Sequence, residues 1–246
     1  MMSRVLRAVI FDLDGTLVDH AVAEAAALRA GLRRLDLLEG SGAPADRLAE
    51  WQVLARTHMD AYLAGEYSFA EQRRRRLAAF LPLLGAAAPD SATNEAWWAA
   101  YSADYEANWT LYADVRPCLD ALQTLLPSPR LGVLTNGDGR QQRAKLERFG
   151  IVGAFEGVFV SAEIGVAKPH PESFLIACRA LGVAPAEALF VGDWIEGDAV
   201  ASIAAGLVGV WLDRGVGVSV YEGTRITTLA AIPGMLGSAN EGGIGE

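Results

Sequence analysis

Cysteine and lysine are both scarce in this chain of 246 residues. The two cysteines, Cys118 and Cys178, are too few and too far apart for a disulfide framework or a CxxC metal site, so we expect buried free thiols. Lysine occurs only at Lys145 and Lys168, and every other basic residue is arginine or histidine. Because charged residues surround Lys145 in the sequence, we expect it to lie on a solvated helix face.

Long apolar runs and an excess of positive charge are absent as well. No run reaches the roughly 18–20 residues of a membrane helix, and Asp12 and Asp14 interrupt the first apolar stretch too early for a signal peptide. The net charge of −9 disfavours a surface that binds nucleic-acid polymers or anionic membranes. With 52% hydrophobic residues, we expect a globular cytoplasmic protein, either a monomer or a homodimer, without nucleic-acid or membrane partners.

Short apolar runs recur along the chain, and polar or glycine-containing segments follow them. Continuous apolar runs favour strands that are covered on both faces, as in parallel sheets. Segments with helical spacing lie between the later runs, and this alternation predicts a Rossmann-like, doubly wound parallel α/β sheet. The expected strands are Leu6–Phe11, Leu131–Leu134, Gly157–Val160, Ala188–Val191 and Leu207–Leu212.

A stretch of roughly 95 residues after the first strand lacks a strand pattern and has helical spacing instead. It predicts an inserted all-helical domain over 19–112, with a discontinuous core over 1–18 and 113–236 and a flexible tail over 237–246. The expected inserted helices cover 21–37, 45–64, 68–83 and 92–107. We expect Arg73–Arg76 to be solvated and Trp97, Trp98 and Trp109 to be buried.

Polar residues follow four of the predicted strands, and in the third case a short loop separates them from the strand end. They form the segments Asp12–Thr16, Thr135–Asp138, Lys168-Pro169 and Gly192-Asp193, with Asp198 further on. The carboxyl ends of parallel strands share one edge of the sheet, where ligands bind. We therefore expect side chains that are far apart in the sequence to meet in one site.

The residue types in this predicted site suit phosphoryl transfer. The carboxylates of Asp12, Asp14 and Asp193 repel one another unless a cation compensates them, and hard oxygen ligands of this kind suit Mg²⁺. Lys168 adds a positive charge and Thr135 a neutral donor, and both can hold a phosphoryl group. A carboxylate beside the metal can also act as a nucleophile.

The stretch Val9–Asp19, which includes Asp12-Leu13-Asp14-Gly15-Thr16, resembles the first motif of the haloacid dehalogenase-like hydrolase superfamily. Thr135-Asn136, Lys168-Pro169 and the stretch Gly192–Asp198 resemble its second, third and fourth motifs, in the same order. The resemblance covers essentially the whole core, and the helical insertion falls where that family carries a helical cap. It implies a helical-capped phosphatase that hydrolyses a small soluble phosphomonoester.

The resemblance also implies a role for each matching residue. Asp12 would be the nucleophile, and Asp14 the general acid and base. Thr135, Asn136 and Lys168 would bind the phosphoryl group. Mg²⁺ would be held by Asp12, by the backbone carbonyl of Asp14 and by Asp193. Asp198 would either support these ligands or be an outer ligand of the metal, and it could also cap the helix that follows.

Three alternatives stay open at this point. A phosphatase of this family would form an aspartyl-phosphate on Asp12, and a phosphomutase would use the same intermediate. A non-catalytic phosphate-binding protein could share the scaffold. A dehalogenase is disfavoured because it needs no leaving-group acid, whereas Asp14 is present here. The signatures GxxxxGK[ST], GxGxxG, HExxH and GxSxG are absent from the sequence, which disfavours P-loop, dinucleotide, zincin and serine-hydrolase sites.

Overall fold

The computed structural model describes residues 5–38, 44–215 and 220–241. It divides into two compact units, one formed by Met1–Asp19 with Leu111–Glu246 and the other by His20–Thr110. The junctions thus lie at 19/20 and 110/111, where the sequence pattern predicts 18/19 and 112/113. We refer to the first unit as the core and to the second as the helical unit.

The described part of the core is built on a six-stranded sheet, and the prediction of a parallel sheet with helices on both of its faces is confirmed. Its spatial order is β3-β2-β1-β4-β5-β6, so the first strand is central. All four residues of β1 and all five of β4 are buried, which explains their continuous apolar runs. The strands are β1 (Ala8–Phe11), β2 (Arg130–Thr135), β3 (Gly157–Val160), β4 (Ala188–Gly192), β5 (Val208–Leu212) and β6 (Thr224–Ile226).

The sixth strand, β6, is absent from the sequence-based prediction, which has five strands. It pairs in parallel with β5 and forms the edge of the sheet. Thr224 and Arg225 are exposed and only three residues take part, so the strand leaves no apolar run in the sequence. The pattern that reveals central strands is therefore missing at this edge.

Within the residues that the structure describes, the helical unit contains four helices, which correspond to the four predicted from sequence. Side-chain caps begin two of them: Ser68 accepts a hydrogen bond from the Glu71 amide at 3.2 Å, and Asp90 accepts one from the Thr93 amide at 2.7 Å. Its helices are α1 (His20–Arg34), α2 (Pro44–Leu63), α3 (Phe69–Leu83) and α4 (Ser91–Ala107).

Aromatic residues form the centre of the helical unit. Trp51 is fully buried, and its ring centroid lies 5.4 Å from that of Trp97 and 5.6 Å from that of Trp98. The prediction that Trp97, Trp98 and Trp109 are buried is confirmed. The prediction that Arg73–Arg76 is solvated is wrong for its last residue. Arg76 is buried because its guanidinium lies 2.7 Å from the Glu24 carboxylate and 3.6 Å from the Trp51 ring centroid.

The remaining helices belong to the core, where α5 to α9 lie between strands in the chain and α10 follows the last strand. A π-helical turn, Ile195–Val200, leads directly into α9. The last helix extends through Glu241, five residues into the segment predicted as a tail, and 242–246 lie outside the described residues. The helices are α5 (Val115–Thr124), α6 (Gly139–Arg148), α7 (Ser161–Ile164), α8 (Pro171–Ala180), α9 (Ala201–Ala204) and α10 (Ile232–Glu241).

One apolar cluster fixes α8 and α9 against the sheet. Phe174 on α8 packs edge to face on Phe190 of β4, with ring centroids 5.0 Å apart. Cys178 belongs to the same cluster, and Cys118 on α5 is buried too, so the prediction of buried free thiols is confirmed. Among the helices that the structure describes, we find none that is long and apolar enough to cross a membrane.

Candidate active site

The polar segments predicted from sequence meet at the carboxyl edge of the sheet. Asp12 follows β1, Thr135 is the last residue of β2, and Asp193 follows β4. These three strands are neighbours and parallel, so their ends lie side by side. Lys168 precedes α8 and reaches the same edge, as its contacts with the aspartates show.

Lys168 is buried between two carboxylates. Its Nζ lies 2.6 Å from Oδ1 of Asp12 and 2.6 Å from Oδ1 of Asp198, and all three side chains are buried. Burial alone lowers the pKa of the Lys168 ammonium, but Asp12 and Asp198 outweigh that effect and raise it above its ordinary value. The ammonium is therefore a permanent positive charge in the site.

Three carboxylates form an acidic cluster around this lysine. Oxygen atoms of Asp12, Asp193 and Asp198 all lie within 4.8 Å of one another. The pKa of Asp12 is raised to about 7: burial raises it most, Lys168 lowers it, and the nearby carboxylates of Asp198 and Asp14 also raise it. The pKa of Asp193 is also raised well above its ordinary value, first by burial and then by Asp12 and Asp198.

The donor set of the acidic cluster fits a divalent cation. Three carboxylates face a single ammonium, which leaves two negative charges without a partner among the groups of the cluster. The raised pKa values of Asp12 and Asp193 come first from burial and in part from the neighbouring carboxylates, and a bound cation would offset the second contribution. Carboxylate oxygens are hard ligands of the kind that divalent cations such as Mg²⁺ prefer.

A glycine in the first motif allows the close approach of Asp193. Gly15 has a φ of +84°, a conformation that glycine adopts without strain. A Cβ atom at this position would lie only 2.1 Å from Oδ2 of Asp193, so any other residue would collide with the carboxylate. The indole Nε1 of Trp211 donates to the backbone carbonyl of Asp193 at 3.0 Å and fixes that residue from the other side.

Asp198 is held within the fourth motif. Its Oδ2 accepts a hydrogen bond from the backbone amide of Trp194 at 3.1 Å, while Oδ1 faces Lys168. A Cβ on Gly192 would lie 2.2 Å from Oδ2 of Asp198, so glycine is needed there as well. Asp198 therefore both stabilises the π-helical turn and orients Lys168.

The second motif orients Lys168 through its backbone. Asn136 donates from Nδ2 to the Lys168 carbonyl at 2.8 Å and accepts from the Lys168 amide at 2.9 Å. Thr135 is buried, and its hydroxyl accepts a hydrogen bond from Nε2 of Gln142 at 2.8 Å. The Asn136 side chain is thus engaged with the main chain that carries Lys168.

The carboxylate of Asp14 lies apart from the acidic cluster and faces α6. Its Oδ1 and Oδ2 are 2.6 and 2.7 Å from Nζ of Lys145, and Oδ2 accepts from Nε2 of Gln142 at 2.8 Å. The prediction that Lys145 lies on a solvated face is therefore wrong, because only 1% of its surface is exposed. An ammonium buried to this degree needs an anionic partner, and Asp14 provides it.

Sequence reasoning missed both Gln142 and Lys145, although α6 contains a signal that could have revealed them. Residues three or four apart share a helix face, so Gln142, Lys145 and the fully buried Leu146 face the same way. A lysine on the apolar face of a helix that begins just after the second motif indicates a buried partner. The arginines and glutamate beside it in the sequence obscured this pattern.

Comparisons with known proteins agree with the fold and the motifs. The chain matches the description "haloacid dehalogenase-like hydrolase" over residues 6–206, and it belongs to that family of enzymes. It is 41% identical to the glyceraldehyde 3-phosphate phosphatase of Methanopyrus kandleri over 110 residues, which cover 43% of this chain and about half, 47%, of that protein.

Two further likenesses extend over most of the chain. Human N-acylneuraminate-9-phosphatase is 30% identical over 215 residues, covering 87% of this chain and 84% of that protein. In structure, the chain is similar to the magnesium-bound HAD hydrolase YfnB of Bacillus subtilis, with a TM-score of 0.77, 24% identity and coverage of 94% and 98% of the two chains. At this identity the structural likeness supports the fold alone.

Proposed function

We propose that this hydrolase is a Mg²⁺-dependent phosphomonoesterase that acts through a phosphorylated Asp12. The observation that carries the proposal is the contact of 2.6 Å between Lys168 and a buried Asp12, inside a cluster that also contains Asp193 and Asp198. The two relatives compared above are both named as phosphatases, which supports the same class of reaction for this chain.

The residues of the acidic cluster suit a substrate phosphate and a metal together. We assign Asp12, Asp193 and the backbone carbonyl of Asp14 as protein ligands of Mg²⁺, with Asp198 as support. When bound, Mg²⁺ supplies positive charge that offsets the charge of the phosphoryl oxygens. Lys168 offers a permanent charge to the same group, and the Thr135 hydroxyl offers a hydrogen bond.

The first half of the proposed reaction transfers the phosphoryl group to the enzyme. A carboxylate oxygen of Asp12 attacks phosphorus, and the bond between phosphorus and the ester oxygen breaks with its electron pair on that oxygen. Asp14, which is in its protonated form when the substrate is bound, donates its proton to the leaving oxygen, so that an alcohol departs and Asp14 becomes a carboxylate. Lys168 stays beside Asp12 and stabilises the negative charge that shifts toward the phosphoryl oxygens.

The second half releases inorganic phosphate. Asp14, now ionised, accepts a proton from a water molecule whose oxygen attacks phosphorus. The bond between phosphorus and Asp12 breaks, its electron pair returns to the carboxylate, and phosphate leaves. In the overall reaction, one phosphomonoester and one water molecule give one alcohol and one inorganic phosphate, and no further reactant is needed. The halide that leaves in a dehalogenase reaction needs no proton. The presence of Asp14 as a proton donor therefore supports phosphate transfer over dehalogenation.

We assign small soluble phosphomonoesters as substrates, among them sugar phosphates, nucleoside monophosphates and phosphoglycolate. The phosphorylated sugar acid and the triose phosphate in the names of the two relatives belong to the same class. We also propose that the helical unit serves as a cap domain. Its place in the chain supports this role, because it is inserted between β1 and the rest of the core.

A panel of phosphomonoesters with purified protein and Mg²⁺ tests the proposal. We expect release of inorganic phosphate that stops on addition of EDTA and returns with excess Mg²⁺. Glu163→Gln is a matched control, because this glutamate forms an exposed ion pair with Arg143 away from the acidic cluster. Activity that persists in EDTA contradicts the metal assignment. An isomeric phosphate ester in place of inorganic phosphate identifies a mutase and contradicts hydrolysis.

A further inference from the structure

A buried clamp on α6 holds the carboxylate of Asp14. It consists of Gln142 and Lys145, which lie three residues apart on the same helix face. Lys145 is 1% exposed and Gln142 is 2% exposed, so both polar groups depend on protein partners rather than water. We call this pair the α6 clamp.

The α6 clamp contacts both oxygens of Asp14. The Lys145 ammonium lies 2.6 Å from Oδ1 and 2.7 Å from Oδ2, and it donates to Oε1 of Gln142 at 2.7 Å. Nε2 of Gln142 donates to Oδ2 of Asp14 at 2.8 Å. Contacts to both oxygens fix the carboxylate plane as well as its position, which a single hydrogen bond could not do.

The clamp also joins Asp14 to the residue assigned to bind phosphate. The same Nε2 of Gln142 lies 2.8 Å from Oγ1 of Thr135 and 3.1 Å from the backbone carbonyl of Asn136. One amide group therefore sets the position of the Asp14 carboxylate relative to the end of β2. A catalytic acid gains most from fixed placement relative to the bond that breaks, because small displacements reduce the rate strongly.

We propose that Gln142 and Lys145 are positioning residues that hold Asp14 where it protonates the leaving oxygen. This inference rests on the proposed function, in which Asp14 is the general acid. Both residues act through Asp14 and are assigned no contact with the substrate. The proposal predicts a dependence on the leaving group, because a good leaving group departs without a proton and a poor one does not.

The test compares two substrates in the first turnover, measured by rapid mixing in the presence of Mg²⁺. One is p-nitrophenyl phosphate, whose leaving group needs no proton, and the other is the best alkyl phosphate found in the substrate panel. For Lys145→Met we expect release of the alcohol to slow about 100-fold, while the first burst of nitrophenolate changes less than about threefold. For Gln142→Leu we expect the same selectivity with a smaller loss.

Arg143→Gln is the matched control, because Arg143 lies on the same helix in an exposed pair with Glu163. We expect it to leave both rates unchanged. An equal loss on both substrates would show that the clamp only supports the fold. A gain on the alkyl phosphate would show that it holds Asp14 away from the reacting bond. Either result overturns the proposal.

The design separates this inference from the proposed function. If the wild-type protein releases phosphate from no ester in the panel, the phosphomonoesterase assignment fails. If the wild type is active but the clamp variants show no selectivity, the clamp proposal fails alone. Should Lys145→Met fail to fold, Gln142→Leu decides the outcome, because it removes the bridge to Thr135 and keeps the ion pair with Asp14.

Discussion

Lys168 Nζ lies 2.6 Å from Oδ1 of Asp12, and both side chains are buried. The two residues are 156 positions apart in the sequence and meet because the carboxyl ends of parallel strands share one edge. The contact places a permanent positive charge beside the atom that we propose as the nucleophile. Because this charge is already in place, the groups around the substrate need not rearrange during the reaction, which is the main advantage of such a charge for catalysis.

Replacement of Lys168 by methionine tests the importance of this charge. We expect Lys168→Met to lower kcat for phosphomonoesters at least about 100-fold, because stabilisation of the transferring phosphoryl group is lost. Without added divalent cation, the free energy of unfolding should also fall by about 3 kcal/mol, since two buried carboxylates lose their partner. Steady-state kinetics and urea unfolding measure the two effects. An unchanged kcat would contradict the assigned role.

The acidic cluster predicts where a divalent metal binds. We expect Asp193→Asn to weaken Mg²⁺ binding at least tenfold, because one of the converging carboxylates is lost. Titration calorimetry of the substrate-free protein with Mg²⁺ measures the affinity without reference to activity. Glu163→Gln, which neutralises an exposed carboxylate, serves as the control. Equal affinities of Asp193→Asn and wild type would exclude Asp193 as a ligand.

A second charge network predicts how stability depends on pH. Asp114 accepts hydrogen bonds from Arg214 at 2.7 Å, from the Thr228 hydroxyl at 2.9 Å and from the Leu229 amide at 2.9 Å. Removal from water raises the pKa of Asp114, but these bonds outweigh that effect and hold it below its ordinary value of 3.8. The contribution of the ionised Asp114 to the free energy of unfolding is therefore fully present above that pH and is lost as the pH falls below it.

The comparison of wild type with Asp114→Asn isolates this contribution. We expect the variant to be about 1 kcal/mol less stable at pH 7, a value that allows for solvent screening of the partly exposed pair. The difference should begin to shrink below about pH 4, where Asp114 takes up a proton in the unfolded chain, and should disappear at the lower pH where the folded carboxylate is protonated too. Urea unfolding at several pH values measures it. A difference that is the same at pH 3 and pH 7 would contradict the assignment.

Much of the fold could be predicted from the sequence because its signals are local. The central strands β1 and β4 are fully buried and appear as apolar runs, and Asp12 and Asp193 directly follow them. The edge strand β6 could not be predicted in this way, because two of its three residues are exposed. Where burial does not select the residue type, no periodic pattern marks the strand.

The pairing of charged residues could not be read from their neighbours in the sequence. Lys145 and Arg76 stand among other charged residues, yet Asp14 and Glu24 draw them into the protein interior. Their partners lie 131 and 52 residues away, so only the folded chain brings them together. Local charge density therefore predicts solvation poorly when a distant carboxylate is available.

Covalent trapping of the phosphorylated enzyme tests the central claim most directly. Wild-type protein is mixed with a radiolabelled phosphomonoester and Mg²⁺, quenched in acid within the first turnover and digested for peptide mapping. We predict label on the peptide that contains Asp12, removal of that label by hydroxylamine as for an acyl phosphate, and no label on Asp12→Asn. Phosphate release without label, or label on any other residue, would contradict Asp12 as the nucleophile.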